Sequence, residues 1–464
     1  MTDAHDYDAA LEIAGKHAAA WNAALPDRPV APVVDEAALH AAFGAGALPD
    51  DGLDAVATIE QLAAAADPGL LAQPGPRYFG FVIGGHLPAT LGADVLTSAW
   101  DQNAGLHVMS PAAAAAEDVA AQWLLDVFDL PRTASVGFVT GATMASFTCL
   151  AAARNAVLAQ AGWDVEANGL IGAPAVRVLA GEEAHSSVHY VLRLLGFGTA
   201  RTEIVASDDQ GAMRADALHD ALADARGPVI VCAQSGNVNT GALDDVAALA
   251  DACASSGAWL HVDGAFGLWA RAAGPELRAR AAGMERAQSW AVDAHKWLNV
   301  PYDNAIAIVA DPAAHRAAMG QAAAYLVASE RRDGFDWTPE SSRRARGFAV
   351  WAALRSLGRH GITDLVERCC ALARRFAEQL AAADGVAVLN DVVLNQVLVR
   401  FGDSDEHTRA VIAAVQADGT CWVGGTVWRG RAAMRISVSN HATTEDDVDA
   451  SVAAMLRCWR AVAD

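Results

Sequence analysis

Residues 293–296 read Asp-Ala-His-Lys at the end of a short apolar run, SWAV (289–292), with Trp297 immediately after. A carboxylate, an imidazole and an amine thus leave one strand-like segment together. Burying an ammonium without a partner is costly. Lys296 is therefore either a snorkelling residue, its stem covered by Trp290 and Trp297, or a functional amine. A lysine desolvated beside other cleft groups gives up its proton more readily and attacks carbonyls. Comparable polar clusters follow other apolar runs: TGAT (140–143), GEEAHSS (181–187), QSGN (234–237) and DGAF (263–266).

Positioning these clusters requires strands. The candidates are SVGFV (135–139), VRVLA (176–180), EIVA (203–206), PVIVCA (228–233), AWLHV (258–262), SWAV (289–292) and AIAIV (305–309). Helical stretches such as MASFTCLAAARNAVLAQ and DDVAALADACASSG separate most of them. Apolar, β-branched strands alternating with helices predict an α/β fold with a mainly parallel sheet covered on both faces. Ligands of such sheets bind beyond the carboxyl ends of the strands. The polar clusters therefore meet on one rim.

Each cluster also has a purely structural reading. Thr140-Gly141-Ala142-Thr143 makes a tight turn and helix cap, or a phosphate cradle of backbone N–H groups. Asp263 caps a turn, or faces a cationic group of a cofactor. His185 and His189 stand one helical turn apart, as in zinc hydrolases, but Ser186 occupies the position of the glutamate those enzymes need. A metal-dependent hydrolase using His185 and His189 is kept as an alternative of another class, with no metal site expected. No GxxxxGK[ST], helix-opening GxGxxG or GxSxG is present. A phosphate cradle, an acid for a ring nitrogen and a nucleophilic lysine together specify pyridoxal 5'-phosphate.

The remaining chain sets bounds. Its 464 residues can bury a large core, and the 53% hydrophobic content is alanine-rich without a membrane-length apolar run. A net charge of −22 argues against nucleic-acid and anionic-membrane partners. The seven scattered cysteines, Cys369 and Cys370 adjacent, suit a reducing compartment. The acidic, amphipathic start lacks signal-peptide features, so a cytoplasmic location is expected. Three parts are expected: an N-terminal helical arm (1–75), a large domain (76–340) and a small C-terminal α+β domain (341–464). VVLNQVLVRF and MRISVSN supply strands of the last part, and a helix opens at TTEDD. The polar stretch from Gln321 to Gly347 has the character of a lid.

The chain resembles the pyridoxal-phosphate-dependent group II amino-acid decarboxylases, which include aromatic L-amino-acid and glutamate decarboxylases. The likeness is carried by RYFGFVIGG, TGATMASFTCLAAAR, EEAHSSVHYVLRLLG, HVDGAFG, DAHKWLNVPYD and LNQVLVRF, from about residue 70 to the C-terminus. It implies the aspartate-aminotransferase fold (fold type I) and a homodimer with shared active sites. It also implies that Lys296 bonds to the cofactor aldehyde, Asp263 pairs with the pyridine nitrogen, His185 stacks on the ring and Ala265 packs on its other face. Ala142 and Thr143 lie where the family binds phosphate, with Asp293 and His295 close to the cofactor. Tyr325, 29 positions after Lys296, matches a loop tyrosine that protonates the product carbon across the dimer.

Departures bear on the substrate. Asn237 replaces a threonine that aromatic amino-acid decarboxylases carry near the cofactor. Gly105 stands where some relatives have a bulky pocket residue, and Phe81 is a retained aromatic wall. Arg435 binds a substrate carboxylate, as in aminotransferases, or forms a structural ion pair. The reading is decarboxylation of an aromatic or bulky L-amino acid, with glutamate less favoured. Transamination, aldehyde formation and aldol-type cleavage on the same cofactor are the alternatives, and a non-catalytic scaffold is the weakest.

Overall fold

In the computed structural model, which describes residues 4–31, 35–321 and 331–463, seven apolar runs form the central sheet. They are β1 (Ser135–Val139), β2 (Arg177–Gly181), β3 (Thr202–Val205), β4 (Val229–Gln234), β5 (Trp259–Asp263), β6 (Ser289–Asp293) and β7 (Ala305–Val309), in spatial order β1-β7-β6-β5-β4-β2-β3. From β6 to β3 neighbouring strands run parallel, while β7 is antiparallel to both β1 and β6. Every residue of β1, β4, β5, β6 and β7 is buried. Their near-continuous apolar sequences follow from having both faces covered.

One face is covered by the helix Ala142–Gln160, whose Ala145, Cys149, Ala151, Ala152 and Ala153 are at most 2% exposed. Small side chains on that stripe let the helix lie close to the sheet. The other face packs the helices Pro111–Phe128 and Val246–Ser256 around Trp269 and Trp290. The expected strands stop one residue short of the observed β4, β5 and β6. Gln234, Asp263 and Asp293 are strand residues, held by the ladder, and not the first residues of loops.

A second, antiparallel sheet follows, in order β10-β11-β9-β8. Its strands are β8 (Val386–Val388), β9 (Gln396–Phe401), β10 (Gly424–Trp428) and β11 (Arg431–Ser437). β9 and β11 match the sequence reading. β8 is only three residues long and β10 begins with two glycines, so neither carries a strand pattern. Arg429 and Gly430, both at positive φ (48° and 76°), close the β10–β11 hairpin. The final helix Glu445–Ala463 opens on a capping box, with Asp447 N donating to Thr444 Oγ1 and Thr444 N to Asp447 Oδ2.

At the N-terminus the helices Ala4–Ala24 and Ala55–Ala66 pack together. Trp21, Leu25, Val30 and Ala72 build a small core there against Trp422 of the C-terminal part. No helix of the described residues is long and apolar enough to cross a membrane.

One buried ion pair anchors the chain that follows residue 331. Arg343 and Glu117 have side chains only 1% exposed and bond to each other, and Arg343 Nη1 also donates to Ala104 O at 2.8 Å. Removing one partner leaves the other charge buried. Glu117→Ala is expected to destabilise the fold by about 3–5 kcal/mol. Urea unfolding checks this, and a loss below about 1 kcal/mol would contradict it.

Candidate active site

β5 and β6 are neighbours, so their last residues, Asp263 and Asp293, lie on the same rim. Gln234, at the end of β4, pairs in register with Asp263. Beyond β6 the chain turns tightly: Ala294 N and His295 N both donate to Asn304 O, and Asn299 N donates to Lys296 O. The turn directs Lys296 back towards Asp293, and Nζ lies 2.7 Å from Asp293 Oδ2. The lysine of the opening tetrad therefore has its partner, within a polar cleft. A side-chain carbon at Gly84 would lie 1.8 Å from Lys296 O, so the segment carrying RYFGFVIGG fits against the lysine backbone only as glycine.

Asp293 is the hub of this corner. Its Oδ1 accepts Ala142 N at 2.6 Å and lies 3.4 Å from His295 Nε2. Ala142 begins the 19-residue helix Ala142–Gln160, whose N-cap Gly141 offers no side-chain cap, so Asp293 is the side chain that takes a first-turn N–H. The next N–H groups of that turn are a ready anion site. His295 accepts Asn304 N on Nδ1 and stacks on Tyr302 with centroids 4.3 Å apart. Burial holds its pKa below the usual imidazole value, and the Asp293 charge works against this.

Asp263 is 4% exposed, and its Oδ1 accepts Ala265 N at 3.2 Å. Burial pushes its carboxyl above the usual range, while His185 and Lys296 pull it back. A cation brought against it favours the charged form further. His185 sits at the mouth of the cavity, open to solvent on one side and crowded by protein on the others. Desolvation lowers its pKa, so the ring is favoured neutral. Ser187 Oγ fixes its Nδ1 at 2.7 Å, and Gln234 Oε1 accepts its backbone N–H at 3.0 Å.

These groups enclose a cavity of about 280 Å³. Lys296, Asp263, Ala265, His185, Ala142, Thr143, Asp293 and His295 all line it, as does Phe81. Gln234, Val82, Val238 and Phe266 line it as well and were not singled out from sequence. Gln234 stood inside the quoted QSGN cluster, so a signal existed. Phe266 closes the quoted DGAF cluster and Val82 lies within RYFGFVIGG, whereas Val238 falls just past QSGN. Asn237 and Gly105 lie off the cavity. Asn237 is buried, its Oδ1 taking Asn239 N and Thr240 N and its Nδ2 donating to Glu183 O. Gly105 is buried so close to Ser341 O that a side-chain carbon would lie 2.0 Å from it. Tyr325 lies outside the described residues. Among the described residues no three His, Cys, Asp or Glu side chains cluster as a metal site.

Arg435, on β11, has no carboxylate partner among the described residues. Its Nη1 donates to Val238 O at 3.3 Å, its Nε is buried without a partner, and its charge helps to lower the His185 pKa. The structural ion pair considered for it from sequence is not formed there.

The donor set fits pyridoxal phosphate. A lysine amine can bond to the aldehyde, a buried carboxylate can face the ring nitrogen, and an imidazole and a small alanine can flank the ring. The first-turn N–H groups beyond Ala142, which Asp293 holds, can take the phosphate. With the seven-stranded sheet and the small C-terminal sheet, this defines a pyridoxal-phosphate enzyme of the aspartate-aminotransferase type, fold type I.

Comparison with known proteins narrows the class. The pyridoxal-dependent decarboxylase conserved domain matches residues 46–401. Tryptophan decarboxylase 1 of Oryza sativa subsp. japonica is 28% identical over 424 residues, covering 84% of this chain and 82% of the rice protein. L-2,4-diaminobutyrate decarboxylase of Rhizobium meliloti is 28% identical over 384 residues, covering 78% of this chain and 74% of the other. The crystal structure of Oryza sativa TDC with PLP and tryptamine superposes with a TM-score of 0.92 at 24% identity, over 100% of this chain and 99% of that one. The chain belongs to the pyridoxal-dependent decarboxylase family. It is a pyridoxal-phosphate-dependent carboxy-lyase, which sets aside the hydrolase and scaffold alternatives.

Proposed function

We propose that the chain decarboxylates an L-amino acid with an aromatic or otherwise bulky side chain, releasing the amine and CO2. The observation that carries the substrate class is the apolar wall of Phe81, Val82, Val238 and Phe266 beside Lys296, Asp263 and His185. Burying an aromatic side chain against such a wall stabilises binding by about 2 kcal/mol. Arg435, which does not itself line the cavity, lies behind Val238 with a buried, unpartnered Nε, and is assigned to an anionic group of the ligand. One such cation answers the α-carboxylate that every amino acid carries, and among the described residues the cavity lining holds no arginine for a side-chain acid, which disfavours glutamate. The named relatives act on tryptophan and on 2,4-diaminobutyrate, so the side-chain class is drawn from this wall and not from them.

When bound, pyridoxal phosphate supplies an aldehyde for amine exchange and an electron-withdrawing ring that accepts the electrons left by departing CO2. In this reading Lys296 Nζ, held beside Asp293, would be the amine that holds the aldehyde. Asp263 keeps a proton on the ring nitrogen. His185 covers one ring face and Ala265 the other. Ala142, Thr143 and His295 take the phosphate end, with Asp293 orienting the Ala142 N–H, His295 and Lys296. Asn237 shapes the turn that carries Val238. Gly105, off the cavity within one subunit, belongs to the pocket only across a homodimer with shared sites. We assign the arm 1–75 to dimer formation, 76–340 to cofactor binding and 341–464 to the small domain, in a cytoplasmic enzyme.

Tyr325 is assigned as the acid that protonates Cα once CO2 has left. Tyr325→Phe is then expected to lower amine formation by about 10²-fold or more and to divert product towards aldehyde. Product analysis by mass spectrometry checks this, and an unchanged amine yield would remove Tyr325 from the reaction. The substrate class is tested by competition. Loaded enzyme in an equimolar pool of L-amino acids should consume an aromatic or bulky member first. Prior consumption of aspartate, glutamate or a diamino acid would overturn the apolar-wall reading.

A further inference from the structure

The wall residue Phe81 is held from outside the cavity. Phe81 and Val82 both have left-handed backbone, φ 54° and 59°. Such residues persist only where the surroundings over-determine them. The preceding residues are laced to the C-terminal part: Phe79 N donates to Trp422 O, Trp422 N to Arg77 O, and Ser437 N to Phe79 O. The Trp422 ring lies across Gly80, where a side-chain carbon would come within 2.1 Å of it. The same ring stacks on Phe81 with centroids 5.2 Å apart and on Tyr78 at 5.0 Å. Phe81 is itself 61% exposed, so this stacking is what orients its ring. Trp422 in turn rests on the N-terminal core of Leu25, Val30 and Ala72, beside Trp21.

We propose that Trp422, far from the cavity in sequence and absent from its lining, is a positioning residue that sets side-chain selectivity by fixing Phe81. The inference rests on Phe81 walling the side-chain pocket, as proposed above. Its physical content is that a flat ring behind Phe81 holds the wall at one distance from the bound amino acid. An aliphatic residue of lesser area lets Phe81 turn away, and contact is lost with large side chains but not with small ones.

The test uses the cofactor-loaded enzyme and two probes without an α-hydrogen, α-methyl-L-phenylalanine and 2-aminoisobutyrate, which cannot lose an α-proton. Their dissociation constants are read by rapid mixing from the initial change in the visible absorption of the bound cofactor, before loss of CO2. Trp422→Leu should weaken the phenylalanine analogue by about tenfold while moving 2-aminoisobutyrate by less than about twofold. Phe81→Ala should shift the same ratio in the same direction. Trp422→Phe, which keeps a stacking ring, should restore most of the selectivity. If Trp422→Leu loses the cofactor band, Trp422→Met is read in its place. An unchanged ratio in the Trp422 variants with a shifted ratio in Phe81→Ala overturns the role of Trp422 and leaves the wall intact. An unchanged ratio in both sets overturns the wall and this inference together.

Discussion

Lys296→Ala is expected to abolish the visible absorption band of the loaded protein and to cut amine formation by about 10³-fold or more. The reasoning starts from placement. Nζ is held by Asp293 Oδ2 at 2.7 Å inside the cavity, with the backbone behind it locked by Gly84 and by the turn to Asn299. Among the described residues no other lysine lines that cavity, so no neighbouring amine replaces it. The variant also removes a partner of Asp293, which is 2% exposed. Part of any loss could then be electrostatic. Lys296→Arg separates the two effects, because it keeps a cation for Asp293 but cannot form the bond to the aldehyde. Both variants should lack the band, and Lys296→Arg should retain more of the wild-type melting temperature. A normal band in either would remove Lys296 from the chemistry.

Asp263→Asn is expected to reduce kcat by about 10²–10³-fold with the fold retained. Asp263 is nearly isosteric with asparagine, so the packing at the end of β5 changes little. The electrostatics change more. A buried carboxylate favours a proton on a ring nitrogen brought against it, and a neutral amide does not. Without that proton the ring accepts electrons poorly. Burial already pushes the Asp263 carboxyl upward, so its charge is maintained by cations around it. Single-turnover kinetics and urea unfolding should show slow chemistry in a stable protein. Wild-type kcat in the variant would contradict the assignment.

Much of this site was legible because its chemistry falls at strand ends. Asp263, Asp293 and Lys296 each follow or end a short, uninterrupted apolar run, and that pattern marks a buried parallel strand and its functional rim. Polar Gln234, Asp263 and Asp293 carry a loop signal in sequence, so the expected strands end one residue before the observed ones. In the structure, the ladder pairs Gln234 with Asp263 and Asp293 with Ala305.

What was not legible is long-range. Phe81 owes its orientation to Trp422, and the Gly84 fit depends on Lys296 O. Neither contact leaves a local pattern. Val238 reaches the cavity through a turn whose course periodicity does not encode. Arg435 was visible as an arginine, but its lack of an ion-pair partner among the described residues required the surrounding side chains.

The most direct test of the account supplies the loaded enzyme with carboxyl-13C-labelled L-amino acids and follows both products by mass spectrometry. Labelled CO2 should appear one-for-one with the unlabelled amine of an aromatic or bulky substrate, and Lys296→Arg should give neither. Label retained in a keto acid, or CO2 released with aldehyde in place of amine, would contradict simple decarboxylation at this site.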